Sequence, residues 1–398
     1  MYGLFCALVM GSLLGLFYLF QGWLINQLWP GETFRVVFNA VLILIVGIVI
    51  FVTKEKIGDM PKKLSEIKLE LYQTGTANFR YLPLQLLIPP IILCSGTSLG
   101  PEATLVSSTV LFGVWISEKQ RYLSANWRDN RPLDRLKIMV TPHRYLKSRS
   151  QDERQLPWWT PKMISYLGIG IGAFYLTCKW GGEQSVIVYL GSSNWKLIDL
   201  LWLVPIAVVA FLVGQICLRA MILIQKGVLE RFITVRSSII FGGVMIYLAT
   251  LFVPNINFSG MVNFELLAST WQSKSAIFLI VNAFLKLVLL TICLNTGWLG
   301  GEIFPVLFSA TIQGIVFSRL LPQVDPIFFI GVFAITEGAV ILESPWIAGG
   351  VMSVMFLPPN LLPVSISLTA ILIGLRKIHL KRIHQKSMQQ ELNTVDEG

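Results

Sequence analysis

Two glutamates stand inside stretches of sequence that otherwise avoid charge. Glu102 lies in the turn Ser95-Gly96-Thr97-Ser98-Leu99-Gly100-Pro101-Glu102-Ala103-Thr104, and Glu302 in the turn Gly297-Trp298-Leu299-Gly300-Gly301-Glu302-Ile303-Phe304-Pro305. A carboxylate at such a position is hard to keep charged, and it marks a proton-binding or ion-handling site by default. The residues around it point to the same chemistry. A proline early in the following helix suits a helix start, because its missing N–H would have no partner there. Glycines just before it let the backbone turn sharply and approach a ligand closely. The helix that follows then presents unbonded N–H groups, backed by the positive end of its dipole, and these suit an anion. Two ordinary loops at the membrane interface would have the same hydropathy, and an acid in a first helical turn can simply complement the dipole.

The elements that must position these turns are membrane helices. The sequence is 54% hydrophobic and 14% charged, with a mean hydropathy of +0.67, more apolar surface than one soluble core can hide. Apolar runs recur from end to end, at Leu4 to Leu24, Val36 to Val52, Leu82 to Leu93, Ala103 to Ile116, Met163 to Cys178 and Leu200 to Ile224. They continue at Ser238 to Val253, Ala276 to Leu294, Ile303 to Leu320, Ile327 to Leu342, Trp346 to Leu357 and Leu361 to Leu375. About a dozen segments of spanning or near-spanning length are expected. They are continuously apolar rather than alternating, which selects helices over a membrane β-barrel. The fold class is therefore all-α and polytopic. The opening segment reads as a first membrane helix, since no basic stretch precedes it and no small-residue cleavage site follows.

The formal charge of +10 resides in loops. Lys54, Lys56, Lys62, Lys63 and Lys68 follow the second segment. The stretch 118–161 carries Arg121, Arg128, Arg131, Arg135, Lys137, Arg144, Lys147 and Arg149. Lys226, Arg231 and Arg236 form a third cluster, and Arg376, Lys377, Lys381, Arg382 and Lys386 make the end basic. These faces are expected to be cytoplasmic, and the stretch from Pro254 to Gln272, with Glu265 and no Lys or Arg, external. That placement accounts for the charge without a nucleic-acid partner. Trp127, Trp158 and Trp159 among the cations of 118–161 suit either a solvated loop or a segment lying on the lipid surface. Cys6, Cys94, Cys178, Cys217 and Cys293 show no ligand spacing and read as packing residues, and His143, His379 and His384 lie in basic polar segments. No metal, cofactor or enzyme activity is expected.

The two interrupted segments lie about half a chain length apart, as in an inverted-repeat transporter. Here the residues resemble a family, the CLC chloride channels and chloride/proton exchangers. Ser98-Leu99-Gly100-Pro101-Glu102-Ala103 is similar to its first filter motif, and Gly300-Gly301-Glu302-Ile303-Phe304-Pro305 to its second. Asn282 to Lys286 before the second motif, and Gly331 to Ser344 followed by Pro345, extend the resemblance over most of the chain. It implies an inverted-repeat bundle whose broken helices meet at the bilayer midplane. Its halves would be 1–198 and 199–378, in one membrane domain spanning 1–398, with a polar cytoplasmic tail at 379–398. It implies transport of chloride or a similar small monovalent anion at the cell membrane, with protons as a second cargo in the exchangers, and a homodimer. Glu102 would be the protonatable gate. Gly100, Pro101, Ala103, Gly300, Gly301, Glu302, Ile303 and Pro305 would line or shape the anion site, with Glu302 facing away from the anion.

Departures from the family pattern matter as much. A third filter element of the family, Gly-Ser-Gly-Ile-Pro, is matched only loosely by Ile57-Gly58-Asp59-Met60-Pro61. Its chloride-contacting serine falls on Gly58, and Asp59 adds a negative charge. A helix starting at Asp59 is expected to supply the donors there. The charged stretch 118–161 replaces a small-residue helix pair of the family, so its internal proton-accepting glutamate has no counterpart. The tyrosine of the last family helix is also unmatched, and no room is expected for paired cytoplasmic nucleotide-sensing domains. A chain that keeps the fold as a non-transporting scaffold or partner subunit is the alternative these departures favour.

Overall fold

The computed structural model describes residues 2–29, 35–145, 161–182, 189–232, 234–260, 270 and 273–396, and of 162, 163 and 380–396 only the backbone. Lys147, Arg149, Trp158, Trp159 and Glu265 lie outside the described residues, as do the side chains of the basic tail from Lys381 onward.

The described residues are helical almost throughout. In chain order the helices are α1 (Tyr2–Leu28), α2 (Val36–Lys56), α3 (Leu64–Thr74), α4 (Leu82–Leu93), α5 (Glu102–Ala125), α6 (Pro132–Val140) and α7 (Pro161–Trp180). After these come α8 (Leu203–Gly227), α9 (Val235–Phe252), α10 (Ala276–Asn295), α11 (Ile303–Ser318), α12 (Pro326–Ile341), α13 (Pro345–Val351) and α14 (Leu362–Asp396). Among the described residues, six stretches are long and apolar enough to cross a membrane: Tyr2–Leu28, Val36–Lys56, Leu197–Arg231, Val235–Phe252, Ala276–Asn295 and Pro359–His379. This is fewer than the apolar runs in the sequence. Leu82–Leu93, Ile303–Ser318, Pro326–Ile341 and Pro345–Phe356 are apolar but shorter, and at 1.5 Å per residue they fall short of a hydrocarbon core of about 30 Å. Two of the short helices flank the interrupted turns: α4 leads into the first, and α11 leaves the second.

The chain forms two compact units, each drawn from several parts of the sequence. One comprises Met1–Val186, Gln225–Ser259 and Leu289–Glu302, the other Ile187–Ile224, Gly260–Val288 and Ile303–Gly398. In the first unit, α1 packs along α7 through small residues. A side chain on Gly11 would run into the Gly170 carbonyl, and one on Gly15 into Thr177. Lipid tails are as apolar as leucine, so close backbone approach and dispersion hold such helices together. In the second unit, α11 and α12 are buried along nearly their whole length, with Phe308, Phe329 and Phe333 in the core. Leu190 N–H, bonded to Phe356 O at 2.9 Å, and Asn360, bonded to Ser193 O at 2.6 Å, tie the segment before α8 to the connection between α13 and α14.

Two expectations need correction. The described part of 118–161 is not a solvated loop. Helix α5 runs nine residues past Ile116, to Ala125, and both Glu118 and Lys119 are buried. Glu118 accepts from Tyr145 N at 2.7 Å and from Thr76 Oγ1 at 3.4 Å. Lys119 donates to His143 O, with its ammonium over the Tyr145 and Phe79 rings. The returning chain thus satisfies these charges in place of water. Secondly, no helix starts at Asp59. The backbone leaves the helical region at Gly58 (φ +109°), and α3 begins only at Leu64.

The α1–α7 contact yields a prediction. Gly11→Leu should overpack it and destabilise the protein by about 1–3 kcal/mol, lowering its thermal midpoint in detergent. Leu16→Ala, on the exposed face of the same helix, should leave the midpoint nearly unchanged.

Candidate functional site

The two interrupted turns are built alike. Each has a glycine in the left-handed region, Gly96 at φ +89° and Gly297 at φ +90°, and at the same spacing after it a glycine that joins the other turn. Gly100 N–H bonds Gly301 O at 2.8 Å, and Gly301 N–H bonds Gly100 O at 2.7 Å. This reciprocal pair ties segments some two hundred residues apart within the first unit.

Each turn is also clamped by an indole. Trp29 Nε1 donates to Cys94 O at 2.7 Å, just ahead of the first turn. Trp298, fully buried in the second, donates to Ile239 O at 3.1 Å and lies against Gly243 and Gly47. Ser95 and Thr296 cap the preceding helices by donating to Ile92 O at 2.6 Å and Ile292 O at 2.7 Å.

Helix α5 begins at Glu102, directly after Pro101. The Glu102 side chain is buried, and its carboxyl lies against both glycines of the pair: a Cβ on Gly100 or on Gly301 would occupy its place. A side chain at either of these glycines would have to displace that carboxyl. Their N–H groups are committed to one another, so they shape the cradle. Donors for a negative group come instead from the first turn of α5, Glu102 to Thr104, where the helix offers no internal acceptor. Ala103 is half-buried and Thr104 buried at this turn. In the second motif Gly300 packs near Leu99 and Leu93, Glu302 is exposed, and Ile303 opens α11 with Pro305 in its first turn. Of the two glutamates, only Glu102 is enclosed.

Gly58 and Asp59 border a small cavity of the first unit, lined also by Thr53, Lys54, Ile92 and Gly297. Asp59 is balanced there: its carboxylate oxygens lie 3.2 Å from Lys54 Nζ and 3.4 Å from Lys63 Nζ. The positive φ explains a glycine where the family has serine, and the Gly58 N–H turns back to Thr53 O at 3.2 Å. Sequence reasoning missed the two indole clamps and the lysine partners of Asp59. The lysines were visible only as part of a charge cluster.

Fold and site together define a polytopic helical membrane protein with two broken segments joined backbone to backbone beside a buried carboxyl. Residues 152–363 match the family model described as voltage gated chloride channel, and the chain belongs to that family. It is accordingly an anion-transport protein of the CLC family, not an enzyme. Solved structures share the fold, among them two antiporters. One is a CLC-type fluoride/proton antiporter, 18% identical with a TM-score of 0.63 over 94% of this chain and 94% of that one. The other is a slow cyanobacterial chloride/proton antiporter, 17% identical with a TM-score of 0.63 over 96% of this chain and 98% of that one. No curated protein matches the chain in sequence.

Trp298→Ala should cost about 3–5 kcal/mol of stability, as for other buried aromatics. Trp298→Phe, which removes the bond to Ile239 O, should cost less. Denaturation midpoints of the purified variants check the order.

Proposed function

We propose that this chain carries a small monovalent anion, chloride or fluoride, across the cell membrane, with Glu102 as a protonatable gate. The observation that carries the reading is the Glu102 carboxyl held against the Gly100–Gly301 pair at the start of α5. A carboxylate and a mobile anion seek the same donors, so they exclude each other there. Protonation removes the charge, weakens the hold of the helix N-terminus and lets the side chain leave. An anion can then enter, and the returning carboxylate displaces it. The half-helix ends act as fixed dipoles that replace part of the anion's hydration.

Coupled exchange is favoured over passive conduction, because both solved neighbours are described as proton antiporters. Chloride is the anion in the family description and fluoride that of one neighbour. Gly100, Pro101, Ala103, Gly300, Gly301 and Glu302 form or shape the central site in this reading, and the family resemblance alone adds Ile303 and Pro305. Gly58 and Asp59 border its inner approach, with Lys54 and Lys63 cancelling the charge of Asp59. Family resemblance extends the reading to a homodimer.

The test is efflux from proteoliposomes holding a chloride or fluoride gradient, with the external pH recorded at the same time. Wild type should release anion with opposing proton movement. Glu102→Gln, a permanently neutral gate, should abolish the proton movement. Efflux without proton movement in wild type would indicate a channel. No flux of either anion from folded protein would overturn the reading in favour of a scaffold.

A further inference from the structure

The second unit contains a carboxyl that the gate does not use. Glu337, on α12, is 0% exposed, and all its described partners are neutral. Gln313 Nε2 on α11 donates to its Oε1 at 2.7 Å, and Cys217 Sγ on α8 lies 3.9 Å from the same nitrogen. Behind Gln313, Ser309 Oγ lies 3.4 Å from Nε2 and donates to Ala283 O at 2.9 Å. On its remaining side α8 approaches through Gly214, where a Cβ would touch Val340 and the Glu337 backbone carbonyl. The Oε2 atom is buried and has no hydrogen-bond partner among the described residues.

An ionised carboxylate in this position would be a buried charge facing one amide, one thiol and otherwise apolar helix surface, an arrangement proteins avoid by holding the proton. No lysine, arginine or histidine is among its partners. The arrangement instead suits a neutral carboxylic acid, with Oε1 accepting from Gln313 and Oε2 carrying hydrogen. The alternative, a polar side chain kept only for packing, would be served as well by glutamine or methionine.

We propose that Glu337 is a proton-binding site of the second unit, separate from Glu102, and that it holds its proton at neutral pH. Its polar neighbours form a short line, Ser309, Gln313 and Glu337, which begins within two turns of the start of α11. That start is the second interrupted turn, so the proton sits on the packing that holds this turn's helix.

Infrared difference spectroscopy of the full chain in lipid tests the proposal without requiring transport. Wild type minus Glu337→Gln at neutral pH should show a protonated carboxylic C=O band that shifts in D2O, and the same band should persist in Glu102→Gln. Glu337→Asp should move the band rather than remove it, which covers the case in which Glu337→Gln folds poorly. Carboxylate bands in place of the C=O band would overturn the proposal. A second readout follows from linkage: above the ordinary carboxylate range the unfolded chain releases a proton that the folded chain keeps, so thermal stability should fall more steeply with pH in wild type than in Glu337→Gln. Parallel pH profiles would contradict it.

Discussion

The structure depends on two hydrogen bonds between Gly100 and Gly301. They are ordinary amide–carbonyl bonds, each worth about 1 kcal/mol net, but they join backbone that has left the helical ladder. Unpaired peptide groups in the hydrocarbon have no water to turn to, so broken helices persist only where protein or a water-filled cavity covers them, and here each break satisfies part of the other. Everything near the pair follows from this constraint. At both positions an added side chain would have to displace the Glu102 carboxyl, Gly96 and Gly297 turn the chain toward the contact, and a tryptophan holds each turn from behind. The breaks in turn leave the first-turn N–H groups of α5 without helical acceptors, and a negative group is favoured beside such an end.

Charge is managed around this contact. Glu102 opens α5 with its carboxyl against Gly100 and Gly301, at a helix end where a negative group is favoured. Glu302 is left exposed in the corresponding turn, and Asp59 is neutralised by two lysines. A proton on Glu102 therefore acts on the only one of these three acids that is both enclosed and set against the paired glycines.

Much of this was legible in the sequence. Apolar run length gave helix bounds closely, as with Leu82 to Leu93, which is α4 from end to end, but overstated the number of stretches long enough to span. The two Gly/Pro interruptions marked the breaks between helices, because only a few residue types permit such backbone. Other features were not legible, since they depend on partners distant in the chain. The stretch after Ile116 looked solvated because its charges are dense, yet Thr76, Phe79 and Tyr145 take up Glu118 and Lys119. The helix expected at Asp59 fails on one dihedral angle at Gly58. Glu337 lay within an apolar run, and only the packing of α8 and α11 around it shows how completely it is enclosed.

The central claim is that the Glu102 carboxyl occupies an anion's place beside the paired glycines. The most direct measurement is a crystal structure of Glu102→Ala grown in bromide, read by the anomalous signal of the halide. The account predicts a bromide in the space vacated by the carboxyl, within reach of the first-turn amides of α5, with the Gly100–Gly301 bonds unchanged. An intact glycine pair with no halide beside it at saturating bromide would contradict the account.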